Sequence, residues 1–346
     1  MRNLFKKSVQ KKKSDGDFLE EIYQKLLGRN IDLEGKKFYL EMLKKGKSRV
    51  SVVLNIIQSE EFKNKTTREN LHHMLLPPIR NEKPEQYKQV WDIHKKENIW
   101  AFKVKQPSDF DWLEKKIIDN GYYEKPGVWN LQIGDDQKIL SDLISQFNPE
   151  LVLDIGCANG TLMKCLLDKG IKSEGVEISQ LCLSKALPEI KENIHFGDIL
   201  EINLSKKYDF ILGLDIFEHF NPNKLSKYIE KLFNVLSEKG YLFCNIPAFG
   251  RDSVFGEIFP VYIKDWEQDI KENTLFHTVH TDDYGYPKNG HIIGADSKWW
   301  VKQFEAKGFQ RQIEIEKELH VKYDRAMENI SIARKSYYVF SKIRVS

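Results

Sequence analysis

The segment Leu151-Val152-Leu153-Asp154-Ile155-Gly156-Cys157-Ala158-Asn159-Gly160 constrains this chain most. Its first residues are apolar without alternation, so it reads as a strand buried on both faces, the kind a parallel sheet contains. A glycine-containing turn follows, and then helix-forming sequence from Thr161 to Lys169. Such a turn brings bare backbone and a helix N-terminus to whatever binds at the strand's carboxyl edge. A second apolar strand ends in an acid at Gly175-Val176-Glu177. Together they suit a nucleoside-type ligand: the turn holds its polar tail, and the acceptor-only carboxylate takes the ribose hydroxyls.

The pattern continues downstream. Strands are expected over 151–154, 173–177, 193–196, 208–214 and 240–245, and helices over 161–169, 180–186 and 223–236. A helix near Ser297 to Lys307 and strands near 309–316 and 336–342 complete it. This alternation predicts an α/β fold with a doubly wound, mostly parallel sheet covered on both faces.

Two ligand classes compete for the turn. A dinucleotide site wants Gly-x-Gly-x-x-Gly. The frame from Gly156 has Ala158 in the middle and Thr161 at the end, and Asp154 would repel a pyrophosphate. S-adenosylmethionine carries a sulfonium and an ammonium, which an acid suits. The stretch resembles motif I of the class I, Rossmann-like S-adenosylmethionine-dependent methyltransferases, Asp-x-Gly-x-Gly-x-Gly, with Ala158 replacing the middle glycine. The resemblance runs from roughly Asp136 to the C-terminus. It implies a seven-stranded sheet closed by an antiparallel hairpin, with S-adenosylmethionine as cofactor. It also implies the binding positions: Asp154, Gly156, Cys157 and Gly160 at the amino-acid end, Glu177 on the ribose, Ile178 and Ile199 around the adenine ring, Asp198 on the adenine amine, and Asp215 where the methyl group points.

Asp215-Ile216-Phe217-Glu218-His219 resembles the Asp/Glu-x-x-Glu-His motif of many small-molecule and sugar methyltransferases. It makes Glu218 and His219 candidate catalytic residues; the other reading is that they only shape a turn. A positioned histidine base contributes about 10²–10⁴ in rate. The chain then makes a long detour from Ile246 to Asp296, and such an insertion at the catalytic edge builds an acceptor pocket. It is rich in aromatic, His and Asp residues, as a carbohydrate site would be. His280 is a candidate base there, and His277, Tyr284 and His291 are candidate substrate contacts. His277-x-x-His280-x-Asp282 matches no specific metal signature, so no metal is expected; His277, His280 and Asp282 are the candidate ligands for one. By the same resemblance, the aromatic run Gly121 to Trp129 lids the cofactor, with Trp129 a substrate contact; core packing explains it equally well.

Residues 17–65 read as a separate small all-α domain. Phe18, Ile22, Leu26 and Leu27 recur at helical spacing before Gly28; Phe38, Leu40 and Leu43 mark a second helix; Ser48 or Ser51 caps a third. The string from Ile22-Tyr23 through Leu26-Leu27-Gly28-Arg29 to Ser59-Glu60-Glu61-Phe62 resembles the DUF4214 domain, a module related to phycobilisome-linker repeats and often joined to bacterial enzymes of surface-glycan assembly. Residues 1–16 form a lysine-rich tail. Residues 66–130 read as a linker followed by helices packing on the core, and 131–346 as the methyltransferase domain with its insertion at 246–296.

A net charge of +3 gives no case for nucleic acid as a partner. No apolar run approaches a membrane span, and Met1 to Lys13 lacks the apolar centre of a signal peptide. The four cysteines form no Cys-x-x-Cys pair and read as buried thiols of a cytoplasmic protein. The tail reads as a solvated segment, with a weak attraction to an anionic inner-membrane surface or to an acidic glycan as the other reading. The expected reaction is O-methylation of a sugar hydroxyl in a surface glycan or its precursor, with glycan-assembly enzymes as partners of the helical domain. A small molecule or peptide nitrogen as acceptor, and a noncatalytic cofactor-binding partner of a glycosyltransferase, stay open as alternatives.

Overall fold

The computed structural model describes residues 14–27, 29–59, 61–62, 76–125 and 131–343. The basic residues of the tail up to Lys13, Gly28 and Trp129 lie outside them. The chain divides into two compact units, one of residues 1–75 with 126–128 and one of the rest.

The first unit contains α1 (Asp15–Leu27), α2 (Leu33–Lys44) and α3 (Arg49–Ile57). Asp32 caps α2 by accepting from Gly35 N at 2.7 Å, and Ser48, not Ser51, caps α3. Each cap satisfies an otherwise unpaired amide of a first turn. Leu19, Ile22, Leu26, Val52 and Ile56 form the apolar centre. On α2 Tyr39 is buried and Leu40 and Leu43 pack against the same centre as expected, while Phe38 is 54% exposed.

The second unit opens with a hairpin, β1 (Tyr87–Asp92) and β2 (Glu97–Lys103), where helices are expected. Asp92 makes the turn: its Oδ1 accepts from His94 N and Lys95 N, both at 2.9 Å. An aspartate bonding its own following amides closes such a turn locally. Among the described residues of this region, α4 (Ser108–Asp119) is an α-helix as expected. The elements that follow are α5 (Asp135–Ser145), β3 (Leu151–Ile155), α6 (Thr161–Asp168), β4 (Lys172–Glu177), α7 (Gln180–Ser184), β5 (Ile194–Phe196), β6 (Tyr208–Leu214), α8 (Pro222–Val235) and β7 (Leu236–Asn245). The insertion carries β8 (Arg251–Asp252), β9 (Gly256–Glu257), α9 (Trp266–Glu272) and β10 (Thr278–Thr281). The chain closes with α10 (Ser297–Glu305), β11 (Phe309–Arg311), α11 (Ile313–Ile330) and β12 (Tyr337–Lys342).

The main sheet has the order β11-β12-β7-β6-β3-β4-β5. β7, β6, β3, β4 and β5 run parallel, and β12 is antiparallel to both neighbours. Helices cover both faces. Leu225, Ile229 and Leu232 of α8 and Trp300 and Phe304 of α10 pack on one side; Leu143 of α5, Leu166 of α6 and Tyr323 and Met327 of α11 pack on the other. The expected doubly wound seven-stranded sheet is present. Its order reverses between β3 and β6, and in open parallel sheets ligands bind outside the strand ends at that point.

One expected strand is mostly a helix. Instead of 309–316, β11 stops at Arg311 and α11 follows for 18 residues. The short alternation of Ile313 and Ile315 mimics a strand. The buried residues Glu316, Leu319, His320, Tyr323 and Met327 keep helical spacing for three turns, and that longer stripe wins. Elsewhere, β10 adds to the β1–β2 hairpin to make a three-stranded sheet, so the insertion is built onto the segment preceding the main fold.

Candidate active site

Gly156, Ala158 and Gly160 all take left-handed backbone after β3, with φ of 69°, 50° and 80°. At Gly160 a Cβ would also lie 2.1 Å from Ile190 Cδ1, so no other residue fits without displacing its neighbour. Glu177 joins this turn to the one after β4. Its Oε2 accepts from Ala158 N at 2.9 Å and its Oε1 from Ser179 N at 2.7 Å. Each oxygen keeps a further acceptor position. Burial raises the pKa of this carboxyl, which is 2% exposed.

Asp154 is 4% exposed, and no donor of the described residues bonds its side chain. Burial, followed by the charge of Glu177, pushes its pKa up to about 7. An unpartnered buried acid beside an open turn calls for a cationic group. The Cys157 thiol is not part of this surface: a Cβ on Gly175 would lie 2.4 Å from its sulfur, and it packs with Met163 and Ile190. Only the backbone of Cys157 belongs to the turn. Of the two isoleucines expected around a planar ring, Ile178 is 43% exposed and Ile199 is 3% exposed within the core. Asp198 accepts from Leu200 N at 2.9 Å and from the Tyr228 hydroxyl at 2.8 Å, so its carboxylate is already oriented by the chain.

Asp215 follows β6 with φ 49°. Its carboxylate is engaged by Arg334, which also donates to Asn245 Oδ1 at 2.8 Å and lies 3.5 Å from Asp136 Oδ2. Arg334 comes from the turn before β12, and no local sequence signal marks it.

Glu218 and His219 lie in the short turn Phe217–His219 that follows. The Glu218 carbonyl accepts from both Ile292 N, at 2.8 Å, and Ile293 N, at 2.9 Å. That pair of bonds draws the His291 loop onto this turn. Gly290 makes the approach possible: its φ is 79°, and a Cβ there would crowd His219 Nδ1 at 3.1 Å and the Tyr123 hydroxyl at 3.3 Å. The His219 and His291 rings meet edge to face with centroids 4.9 Å apart. His219 Nδ1 is 3.1 Å from the Tyr123 hydroxyl. Burial lowers the His219 pKa to about 4; burial and then His219 lower that of His291 well below its usual range. Burial, then the Asp215 charge, raises the Glu218 carboxyl well above the usual carboxylate range.

A cavity of about 170 Å³ opens beside this cluster, walled by Phe249, Phe259, Tyr262, Trp266 and Phe276 and edged by His280, Lys288 and His291. The Tyr262 hydroxyl is 2.8 Å from His280 Nδ1 and orients that ring. The other expected acceptor contacts are elsewhere. His277 Nδ1 pairs with Asp269 Oδ1 at 2.8 Å, and Tyr284 packs with the cluster of Tyr87, Phe102 and Tyr286. Asp282 Oδ1 caps its own loop, accepting from Tyr284 N and Gly285 N, both at 2.8 Å. His277, His280 and Asp282 therefore do not converge as metal ligands. Along extended chain, residues three apart face opposite sides. Among the described residues the grouping with metal-ligand spacing is Glu218, His219 and His291.

Residues 135–311 match the methyltransferase-domain family, and residues 2–66 match a domain of unknown function, DUF4214. This chain belongs to the methyltransferase-domain family. Its cofactor is S-adenosylmethionine. The free Asp154 carboxylate, the left-handed turn, Glu177 and the exposed Ile178 fit that molecule's cationic, ribose and adenine parts. The methyltransferase is 31% identical over 161 residues to malonyl-[acyl-carrier protein] O-methyltransferase of Priestia megaterium, covering 43% of this chain and 57% of that one. The same enzyme of Acetivibrio thermocellus is 26% identical over 140 residues, covering 38% and 49%. The chain thus spans about half the length of the curated relatives it matches. A crystal structure of Burkholderia thailandensis 1,6-didemethyltoxoflavin-N1-methyltransferase, with that compound and S-adenosylhomocysteine bound, aligns at a TM-score of 0.44 and 14% identity, over 71% of this chain and 96% of the other. No described helix of the methyltransferase is long and apolar enough to cross a membrane.

Proposed function

We propose that this methyltransferase methylates an oxygen, and that the acceptor is a sugar hydroxyl of a glycan or glycan precursor. The observation carrying this is the aromatic cavity of the insertion, edged by His280, Lys288 and His291. Flat aromatic walls stack on the apolar faces of a sugar ring while a few polar groups fix its hydroxyls. Two of the three curated relatives are named as O-methyltransferases, which supports an oxygen acceptor; the third, of Gibberella zeae, is named a sphingolipid C9-methyltransferase.

S-adenosylmethionine supplies a methyl group on a positively charged sulfur. Asp154 would face its ammonium, Glu177 would accept from its ribose diol, and Ile178 would cover its adenine. The cavity holds the acceptor with its hydroxyl toward the strand ends, so positioning and water exclusion lower the barrier. His280, its ring set by Tyr262, takes the hydroxyl proton on its other nitrogen.

Labelled S-adenosylmethionine offered with a panel of mono- and oligosaccharides, and with amines in parallel, tests the acceptor class. Label in the amines and none in the sugars would overturn it. The cofactor site is tested separately. Glu177→Ala is expected to weaken S-adenosylhomocysteine binding by roughly 10–150-fold, the loss of about 1.5–3 kcal/mol of charged hydrogen bonding. Calorimetry giving wild-type affinity would remove Glu177 from the site.

The helical domain supplies no residue to this chemistry in our reading. It holds a polymeric acceptor or an assembly partner nearby and so raises effective concentration. Deleting residues 1–65 is expected to leave S-adenosylhomocysteine affinity and methylation of a small sugar unchanged, and to slow methylation of the polymer. A truncated protein that loses the cofactor would show that the domain is part of the catalytic unit.

A further inference from the structure

Glu218 is a buried acid next to two histidines. It is 1% exposed, and neither of its buried carboxylate oxygens has a hydrogen-bond partner among the described residues. Leaving a buried carboxyl unpaired costs several kcal/mol, so something outside the described residues should meet it. What approaches it is a pair of imidazoles. One ligand atom from each of Glu218, His219 and His291 lies within 4.8 Å of the others, and His291 Nε2 is 3.8 Å from Glu218 Oε1.

We propose that Glu218, His219 and His291 bind a divalent first-row transition-metal cation at the inner end of the acceptor cavity, where it takes the acceptor hydroxyl as a further ligand. Metal bonds of about 2.0–2.2 Å place ligand atoms roughly 3–4 Å apart, and small rotations of the two rings close the remaining gap. Two imidazoles and one carboxylate leave positions open, and this donor set suits manganese, iron, cobalt or zinc rather than the all-oxygen shells of calcium and magnesium. The surroundings already resemble the support such ligands need. The Tyr123 hydroxyl sits 3.1 Å from His219 Nδ1 and fixes that ring. The Ile292 and Ile293 amides lock the His291 loop onto Glu218. His291 also edges the cavity, which gives the ion access to an acceptor.

The inference deepens the O-methylation reading and rests on it for the ion's role. The cation polarises the hydroxyl. The O–H bond breaks and its proton passes to His280. The oxygen's electron pair forms the bond to the methyl carbon as the carbon–sulfur bond breaks, and that pair stays on sulfur as a neutral thioether.

The test uses Co²⁺ with the full chain after dialysis against a chelator. One equivalent of Co²⁺ is expected to bind and to give visible absorption bands of nitrogen-ligated cobalt. Glu218→Gln, which keeps the shape of the side chain, and His291→Ala, at a half-buried position, should each weaken binding at least tenfold. Circular dichroism confirms that each variant is folded. No stoichiometric binding by the wild type, or equal binding by both folded variants, would overturn the site. S-adenosylhomocysteine affinity and labelling of the sugar panel are measured alongside. Cobalt binding without sugar methylation sinks the acceptor reading and leaves the metal site standing; sugar methylation without cobalt binding does the reverse.

Discussion

Replacing His280 by alanine is expected to lower turnover by about 10²–10⁴-fold, the range a positioned general base contributes. S-adenosylhomocysteine affinity should stay within twofold, because His280 edges the acceptor cavity and not the turn around Asp154. Its position rests on β10, which is held in register against β2 with His280 opposite Ala101, and on the Tyr262 hydroxyl at 2.8 Å. Burial, then Lys288 and Lys95, lower its pKa to about 4; Asp92 and Asp282 oppose this. The sign follows. A histidine with a lowered pKa is neutral and ready to accept a proton throughout pH 5–8, so this group gives no loss of activity across that range. The contribution of His280 falls only as pH drops toward 4. A pH profile of kcat, together with rescue of His280→Ala by added imidazole, checks the assignment. Full activity in the alanine variant would move the base elsewhere.

Arg311→Ala is expected to cost about 3–5 kcal/mol of stability, the penalty for leaving buried charges without their partner. Arg311 sits between Asp252, at 2.8 Å, and Glu316, at 2.7 Å, with all three side chains at most 8% exposed. Its guanidinium also lies over the Tyr338 ring, 4.8 Å from the centroid. Glu316 in turn accepts from Val339 N at 2.9 Å. One cation therefore joins the insertion at β8, the start of α11 and strand β12. Removing it leaves two carboxylates facing one another in the interior. Arg311→Lys should recover only part of the loss, since an ammonium cannot make both paired contacts. Urea unfolding followed by tryptophan fluorescence measures both; a change below about 1 kcal/mol in Arg311→Ala would show that water replaces the guanidinium, because only solvated pairs are worth so little.

Much of the cofactor side was legible in the chain because its signals are local. An apolar run of strand length, a glycine turn and a following helix specify one another within a few residues, and Glu177 lies at the end of the adjacent strand. Asp154, Gly156, Gly160 and Ile178 accordingly lie in or just after the neighbouring strands β3 and β4. The details that failed were also local in origin. The alternation of Ile313 and Ile315 imitates a strand, and the tryptophans of 91 and 100 among charged residues hide a hairpin.

The acceptor side was decided by tertiary structure. Glu218-His219 is visible as a dipeptide, but its partner His291 arrives only because the Glu218 carbonyl pairs with Ile292 and Ile293 and Gly290 lacks a side chain. Arg334 reaches Asp215 because β12 inserts beside β7, a pairing no neighbouring residue announces. His277 and His280 look adjacent in sequence, yet extended backbone sends them to different partners, Asp269 and Tyr262. Local propensity thus determined the strand, turn and helix around Gly156 and Gly160, while long-range backbone pairing determined which histidines border one cavity.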